Sequence, residues 1–201
     1  MIRADLHFHT RYSRDASNQP KAIVERLNAH PTIKVIAVTD HNTCQGYFEM
    51  RELARSYPDI LIVPGVEISA EEGEIIILGT TELPPKPWRV QNVVDFARAR
   101  DCVTVAPHPY RGLGLGDLVR DLDVDAIEIL NGITEPQLNR QAEELAKTRD
   151  LPGVAGSDAH DDRDFWSVYT GIQASLDVEE ILKAIRKGLV RVSSTGKSIH
   201  F

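Results

Sequence analysis

Two histidines near the N-terminus, His7 and His9, are the residues of this sequence best suited to chemistry. They lie in the stretch Asp-Leu-His-Phe-His-Thr at positions 5–10, after a short apolar start. Because side chains of a strand repeat every two residues, an extended conformation places both imidazoles on one face. Two adjacent imidazoles at a strand end fill a core poorly but hold a divalent metal well. The alternative is a pair of surface histidines that bind no metal. The two residues by themselves do not distinguish a metal site from this alternative.

Further histidines and carboxylates follow other apolar stretches, where strands are expected to end. Five of the seven histidines lie in such positions, and only His30 and His200 lie elsewhere, as expected surface or packing residues. Burying so many ionisable groups together costs several kcal/mol per group unless a cation compensates. The candidate metal ligands are His7, His9, Asp15, His41, Glu67, His108, Asp158 and His160.

The mixture of imidazoles and carboxylates indicates zinc, manganese or iron rather than magnesium or calcium alone. Eight candidate ligands are too many for one tetrahedral zinc with an open position. They suit two or three divalent metal ions joined by bridging carboxylates. Such centres hold a hydroxide between the ions and support in-line displacement at phosphorus.

The elements that must position these residues alternate along the chain. Stretches such as 33–38 and 126–130 are typical of buried strands, and Pro20 and Pro136 are placed to begin helices. Asp177, with a glutamate three residues later, predicts a helix cap. Repeated alternation of strand and helix favours a parallel sheet covered by helices.

The spread of the polar residues favours a closed sheet over an open one. In an open sheet, the outermost of five strands would lie about 20 Å apart, at roughly 4.8 Å per strand. In a barrel, the same strand ends converge on one axis. We therefore predict an α/β fold, a distorted (β/α)7 barrel formed as a single domain over residues 1–201, with the active site at the C-terminal ends of the strands.

Charge and composition exclude several classes of partner. The net charge of −7 gives no reason to expect a stable nucleic-acid partner. No apolar run approaches the roughly 18 residues of a membrane span, and residues 1–5 do not resemble a signal peptide. Cys44 and Cys102 form no CxxC motif, so we expect a cytoplasmic protein without a membrane partner.

Five motifs resemble, in order, those of the PHP (polymerase and histidinol phosphatase) domain family. The resemblance covers nearly the whole chain and implies a distorted (β/α)7 barrel with a trinuclear metal site and phosphoesterase chemistry. The motifs are DLHFHT at 5–10, TDHN at 39–42, GVEI at 65–68, PHP at 107–109 and GSDAH at 156–160.

The resemblance also implies which residues share each metal ion. Glu67 would bridge two of the ions, and Asp15 has a turn or helix-start role as its alternative. The implied groups are His7, His9, Glu67 and Asp158 for the first ion, Glu67 and His108 for the second, and Asp15, His41 and His160 for the third.

One departure from the family pattern concerns the second ion. Many phosphatases of the family have a histidine near the start of the strand after the glutamate motif, where this chain has Ile76. Either Asn131 or Glu128, at the end of a later strand, supplies an oxygen instead, or only two ions bind tightly. Alternatively, Glu128 does not contact the metal ion but hydrogen-bonds to one of its ligands and orients that ligand.

Two residues are candidates for a catalytic role beside the metal ligands. Asp40 precedes His41 directly and would orient an imidazole or a bound water, with ordinary capping as the alternative. Arg111 follows His108 by three residues in a glycine-bearing loop, where a guanidinium suits a phosphate. A solvated arginine is its alternative. Arg11 and Arg14 have the same two alternatives, phosphate binding and exposure to solvent without a ligand.

The leading hypothesis is a metal-dependent phosphoesterase that hydrolyses a phosphomonoester or small nucleotide through a metal-bridging hydroxide. Its partner would be a small phosphorylated substrate, which Arg111 helps to bind. An amidohydrolase-like enzyme acting on C–N or C–O bonds is one alternative, which the lack of a clear lysine bridge at a strand end disfavours. A non-catalytic, metal-stabilised binding module is the other, which the intact ligand set disfavours.

Overall fold

The computed structural model describes residues 1–196, and its centre is a sheet of nine strands. His200 lies outside the described residues. The strands are β1 (Ile2–Asp5), β2 (Ile33–Val38), β3 (Leu61–Ser69), β4 (Glu74–Leu78), β5 (Val103–Ala106), β6 (Ala126–Asn131), β7 (Gly153–Gly156), β8 (Val168–Ile172) and β9 (Val190–Ser194).

Five α-helices and one short 3-10 helix connect the strands within the described residues. Pro20 and Pro136 begin two of these helices, as predicted, because proline costs no hydrogen bond in a first turn. The predicted cap is also confirmed, since the Asp177 carboxylate accepts a hydrogen bond from the backbone N–H of Glu180 at 3.0 Å. The helices are α1 (Pro20–Ala29), α2 (Gln45–Ala54), α3 (Val90–Arg98), α4 (Pro136–Arg149) and α5 (Val178–Arg186), and the 3-10 helix spans Gly116–Asp121.

The sheet curves into a nearly closed barrel, in the order β7-β6-β5-β4-β3-β2-β1-β8-β9. The strands β1 to β7 form the ring, which closes beyond the ends of β1 and β7, where Phe8 forms a parallel bridge with Ala159. There the backbone N–H of Asp158 donates to the carbonyl of His7 at 2.8 Å. This confirms the predicted fold class and brings the segments after β1 and β7 together at one end of the barrel, its mouth.

The expectation of a parallel sheet is wrong for two strands, β4 within the ring and β8 outside it. β4 runs antiparallel to both β3 and β5, and β8 runs antiparallel to β1. Only residues 70–73 separate β3 from β4, too few for the crossover that a parallel neighbour requires. The start of β4, rather than its end, therefore lies at the mouth.

Below the mouth, the barrel is filled by aliphatic side chains from the strands. Val35, Val63, Ile76 and Val105 belong to one buried cluster, and Ile76 is only 1% exposed. Helix α5 packs against the same cluster. Burial of each such side chain stabilises the fold by about 1.5–3 kcal/mol. The polar residues of the mouth therefore lie directly above this packed interior.

None of the helices between residues 1 and 196 combines the length and apolar character needed to cross a membrane.

Candidate metal centre

The structure brings all eight predicted ligands together at the mouth of the barrel. They come from the ends of β1, β2, β5 and β7, from the middle of β3, and from the loop before α1. Four triads have their ligand atoms within 4.8 Å of one another. The triads are His9, His41 and His160; His7, His108 and Asp158; His7, His9 and Glu67; and His41, Glu67 and Glu74.

Glu67 lies at the middle of the cluster and contacts four imidazoles. Its Oε2 lies 3.2 Å from His7 Nε2 and 3.3 Å from His9 Nε2. The same oxygen lies 3.4 Å from His41 Nδ1, while Oε1 lies 3.3 Å from His108 Nε2. A carboxylate that reaches four imidazoles with two oxygens has the placement of a bridging ligand.

Asp158 closes the buried side of the cluster. Its Oδ1 lies 3.1 Å from His9 Nε2 and 3.3 Å from His7 Nε2. The residue has a φ of 54°, a left-handed backbone conformation that costs on the order of 1–3 kcal/mol for a non-glycine residue. The hydrogen bond between its N–H and the His7 carbonyl holds it there. Strain of this kind is common where side-chain direction matters for function.

The opposite side of the cluster is open to solvent. The Asp15 side chain is 55% exposed, and its Oδ2 lies 3.4 Å from His160 Nε2 and 3.6 Å from His41 Nε2. The loop position predicted for Asp15 therefore does face the two histidines assigned to the third ion. Beyond them opens a cleft of about 640 Å³ that Tyr12 and Leu113 flank.

The residues of the cluster fit divalent metal ions. His41 Nδ1, Glu67 Oε1 and His108 Nδ1 are buried without a hydrogen-bond partner among the described residues. Each unsatisfied buried polar atom costs about 1–3 kcal/mol, a cost that coordination of a cation would remove at a ligand atom. The donor set of imidazoles and carboxylates suits zinc, manganese and iron.

Charge in the cluster is arranged in favour of a cation. Burial opposes ionisation of Glu67 and Asp158, yet His7, His9 and His108 together outweigh it, and the pKa of each carboxyl lies well below its ordinary value. Burial also opposes protonation of His9, but the two carboxylates raise its pKa to about 9. The centre therefore holds negative carboxylates that attract positive charge onto the imidazoles between them.

Glu128 and Asn131 stand behind the ligands. The Glu128 Oε1 lies 3.0 Å from His7 Nδ1, and Oε2 accepts hydrogen bonds at 2.9 Å from the His108 N–H and the Asn131 side chain. Asn131 also donates to Asp158 Oδ2 at 3.1 Å. The two residues therefore have the contacts of supports that orient ligands, the alternative reading of Glu128 from the sequence.

We predict that Glu128→Gln weakens metal binding by about 10- to 100-fold, because His7 loses the carboxylate that orients its ring. Titration with Mn²⁺ measures the affinity. Glu144→Gln on the exposed face of α4 removes the same charge and should bind Mn²⁺ as the unsubstituted protein does. Equal affinities for the two variants would contradict the supporting role.

Asp40 is buried and does not face the cleft. Its Oδ1 accepts hydrogen bonds from the Thr10 N–H at 2.6 Å and from Ser13 Oγ at 3.0 Å. Ser13 Oγ in turn lies 3.0 Å from His9 Nδ1. These contacts suit the orientation of an imidazole through Ser13, one of the two roles predicted for Asp40.

Arg111 reaches back into the centre. Its guanidinium pairs with Asp158 and donates to Asn131 Oδ1 at 3.1 Å and Thr134 Oγ1 at 3.2 Å. The side chain remains 28% exposed. Arg111 is thus held at the edge of the cluster, with part of its surface available to an anion.

The two arginines of the first loop differ in position. Arg11 pairs with Glu49 at 2.9 Å on the exposed surface, which matches its solvated alternative. Arg14 lines the 640 Å³ cleft beside Asp15.

Glu74 is a member of the cluster that the sequence analysis missed. It is 6% exposed, and burial, together with the charge of Glu67, raises its pKa to about 7. Ile76, where a histidine was sought, points to the same face of β4 but lies deeper, in the packed interior. Because β4 is antiparallel, its first residue is the one at the mouth. The short connection of four residues between β3 and β4 is the signal that would have indicated this.

Comparisons with known proteins agree with this architecture. The family model described as PHP-associated matches residues 136–190. An uncharacterised protein of Methanocaldococcus jannaschii, MJ1587, is 34% identical over 142 residues, which are 65% of this chain and 82% of that protein. A second uncharacterised protein of that organism, MJ0417, is 29% identical over 171 residues, 79% of this chain and 65% of its own length.

Three solved structures share the fold. PsfC from Pseudomonas syringae superposes with a TM-score of 0.71 at 19% identity, over 98% of this chain and 93% of its own. An amidohydrolase from Chromobacterium violaceum, with bound sulfate and no metal, gives 0.66 at 18% identity, over 78% and 87% of the two chains. A protein from Bifidobacterium adolescentis, whose name assigns it provisionally as a metal-dependent phosphoesterase, gives 0.64 at 16% identity, over 79% and 87%.

Proposed function

The chain belongs to the PHP-domain family, and from that premise we propose that it is a metal-dependent hydrolase that acts as a phosphoesterase on a phosphomonoester or small nucleotide. One observation carries the proposal. Glu67 joins four imidazoles at the barrel mouth, and Arg111 stands at the edge of the same cluster, 28% exposed. A polynuclear cation site with a guanidinium beside it suits the negative charge of a phosphoryl group.

Different residues of the centre would bind the metal ions and contact the substrate. The buried ligands His7, His9, Glu67 and Asp158 would hold divalent ions, which supply Lewis-acid charge and lower the pKa of water when they are bound. Arg111 would contact a phosphoryl oxygen, since Asn131 and Thr134 fix its position at the edge of the centre.

The open side of the centre is where a substrate would enter and leave. Asp15, His41 and His160 border it, and His41 and His160 are 20% and 23% exposed. The alternative is an enzyme that hydrolyses C–N bonds, for which a lysine that bridges two metal ions would be expected. Among the described residues, no lysine lines the cavity at the metal centre, where Arg111 is the only basic side chain apart from the histidines.

The test is hydrolysis by protein that has been stripped with a chelator and then reloaded with Mn²⁺, Zn²⁺ or Fe²⁺. We expect turnover of p-nitrophenyl phosphate or of a member of a nucleotide panel, and none after chelation. His108→Ala should lower kcat/KM by about a thousandfold or more, because lost metal charge removes several kcal/mol of transition-state stabilisation.

The control and a second panel decide between the enzyme classes. His30→Ala, at the C-terminal end of α1, should retain turnover. Hydrolysis of amide substrates with no phosphatase activity would favour the amidohydrolase alternative. No turnover of either panel at full metal occupancy would leave the binding module as the function and sink the phosphoesterase proposal.

A further inference from the structure

We propose that Glu74 is a metal ligand that makes one ion position of the centre rich in oxygen, so that the affinity of this position for Mn²⁺ relative to Zn²⁺ is higher than a histidine at position 74 would give. The inference rests on the metal dependence proposed above but not on the identity of the hydrolysed bond. It begins from the two oxygens of Glu74. Oε1 lies 3.7 Å from His41 Nδ1, and Oε2 lies 3.7 Å from His108 Nε2.

Glu67 faces the same two imidazoles from the neighbouring strand. Its Oε2 lies 3.4 Å from His41 Nδ1, and its Oε1 lies 3.3 Å from His108 Nε2. Two carboxylates therefore converge on the space between one pair of histidines. Since ligand atoms of His41, Glu67 and Glu74 all lie within 4.8 Å of one another, they can share one cation.

Unsatisfied atoms at this point indicate a ligand independently of the carboxylates. Glu67 Oε1, on a residue that is 1% exposed, and His41 Nδ1 are buried and have no hydrogen-bond partner among residues 1–196. His41 Nδ1 lies 3.7 Å from Glu74 Oε1, and a carboxylate oxygen of Glu67 lies within 4.8 Å of one of Glu74. Two buried carboxylates without a cation would repel each other, and a shared ion would offset both the repulsion and the missing contacts.

A purely structural role for the Glu74 side chain explains less. The backbone N–H of Glu74 donates to the Leu113 carbonyl at 2.8 Å and so anchors the glycine-rich loop to β4. Any residue except proline at position 74 would provide that contact. The buried carboxylate is unnecessary for it, and a neutral side chain would be cheaper to bury.

The chemistry of the donors sets the metal preference. Imidazole suits zinc, whereas carboxylate oxygens suit manganese and magnesium. A position served by Glu67 and Glu74 together with His41 or His108 has more oxygen than nitrogen donors.

The test compares metal binding by two variants without any measurement of turnover. Stripped protein is titrated with Mn²⁺ alone and with Zn²⁺ alone, and bound metal is counted by mass spectrometry after dialysis. We expect Glu74→Gln to lose one equivalent of Mn²⁺ or to bind it at least about tenfold more weakly, the lower limit for loss of even an indirect partner. Glu74→His should retain Zn²⁺ and lower the affinity ratio of Mn²⁺ to Zn²⁺.

Glu71→Gln is the matched control, because Glu71 lies in the same turn, is exposed and pairs with Arg89 at 3.2 Å. It should bind both metals as the unsubstituted protein does. Melting in chelator tests folding: Glu74→Gln should melt no lower than the unsubstituted protein, and Mn²⁺ should raise its Tm by less. Unchanged stoichiometry and an unchanged Mn²⁺ to Zn²⁺ ratio in both Glu74 variants would overturn the proposal, whether or not the protein is a phosphatase.

Discussion

Glu67→Gln is expected to lower kcat/KM by at least about a thousandfold and to reduce the metal content of the purified protein. Glu67 is 1% exposed and contacts the rings of His7, His9, His41 and His108. The amide keeps the shape of the side chain but removes the charge, and its N–H₂ group turns donors toward imidazole lone pairs. Loss of bridged cations removes several kcal/mol of transition-state stabilisation.

Metal analysis and steady-state kinetics measure the two effects separately. Glu52→Gln is the matched control, since Glu52 forms an exposed pair with Arg55 and should change neither quantity. The far-ultraviolet circular dichroism of Glu67→Gln should match that of the unsubstituted protein, because the barrel interior lies below the cluster. A folded Glu67→Gln protein with full metal content would contradict the bridging role.

Gly156→Ala is expected to destabilise the fold and to weaken metal binding together. A Cβ at this position would lie 2.2 Å from His7 Cβ, 2.6 Å from the His7 backbone nitrogen and 2.9 Å from Glu128 Oε1. Because the His7 backbone cannot move aside at a low cost in free energy, β7 and the segment around His7 must move apart. Overpacking of this kind costs about 1–3 kcal/mol, which lowers Tm by about 2–12 °C in a protein of this size.

Thermal melts in chelator and Mn²⁺ titrations measure the two consequences. Gly171→Ala offers a comparison, because its new Cβ would meet chiefly the Met1 sulfur at 2.8 Å. Met1 is 73% exposed and can move aside. If Gly156→Ala melts and binds Mn²⁺ as Gly171→Ala does, the close approach of β7 to His7 does not position the centre.

The fold class was predictable because two observations indicate the same α/β barrel. These are the alternation of strand and helix patterns and the position of polar residues just after several predicted strands. The stretch 33–38 forms β2 with the predicted bounds, and the strand ends that carry histidines do meet at one mouth. The roles of the eight residues as metal ligands stay predictions. Their proximity follows from the barrel, which brings together strand ends that are distant in sequence.

What the sequence did not disclose depends on strand direction and on contacts across the barrel. The reversal of β4 places Glu74 at the mouth and Ile76 in the interior, yet two-residue periodicity treats both positions alike. The position of Asp40 behind Ser13 depends on a loop–strand contact across 27 residues, and that of Glu128 behind His7 on one across 121. Such long-range pairings leave no local signature.

The closure of the ring between β1 and β7 has a consequence for the order in which the protein matures. The Asp5 carboxylate accepts a hydrogen bond from the Ser157 N–H at 2.8 Å, across a separation of 152 residues. Contacts between such distant segments form late, because the chain must lose its loop entropy before they stabilise it. On the ribosome, His7 and His9 emerge before Asp158 and His160. The surroundings of the two histidines are therefore completed only after most of the intervening chain has been synthesised.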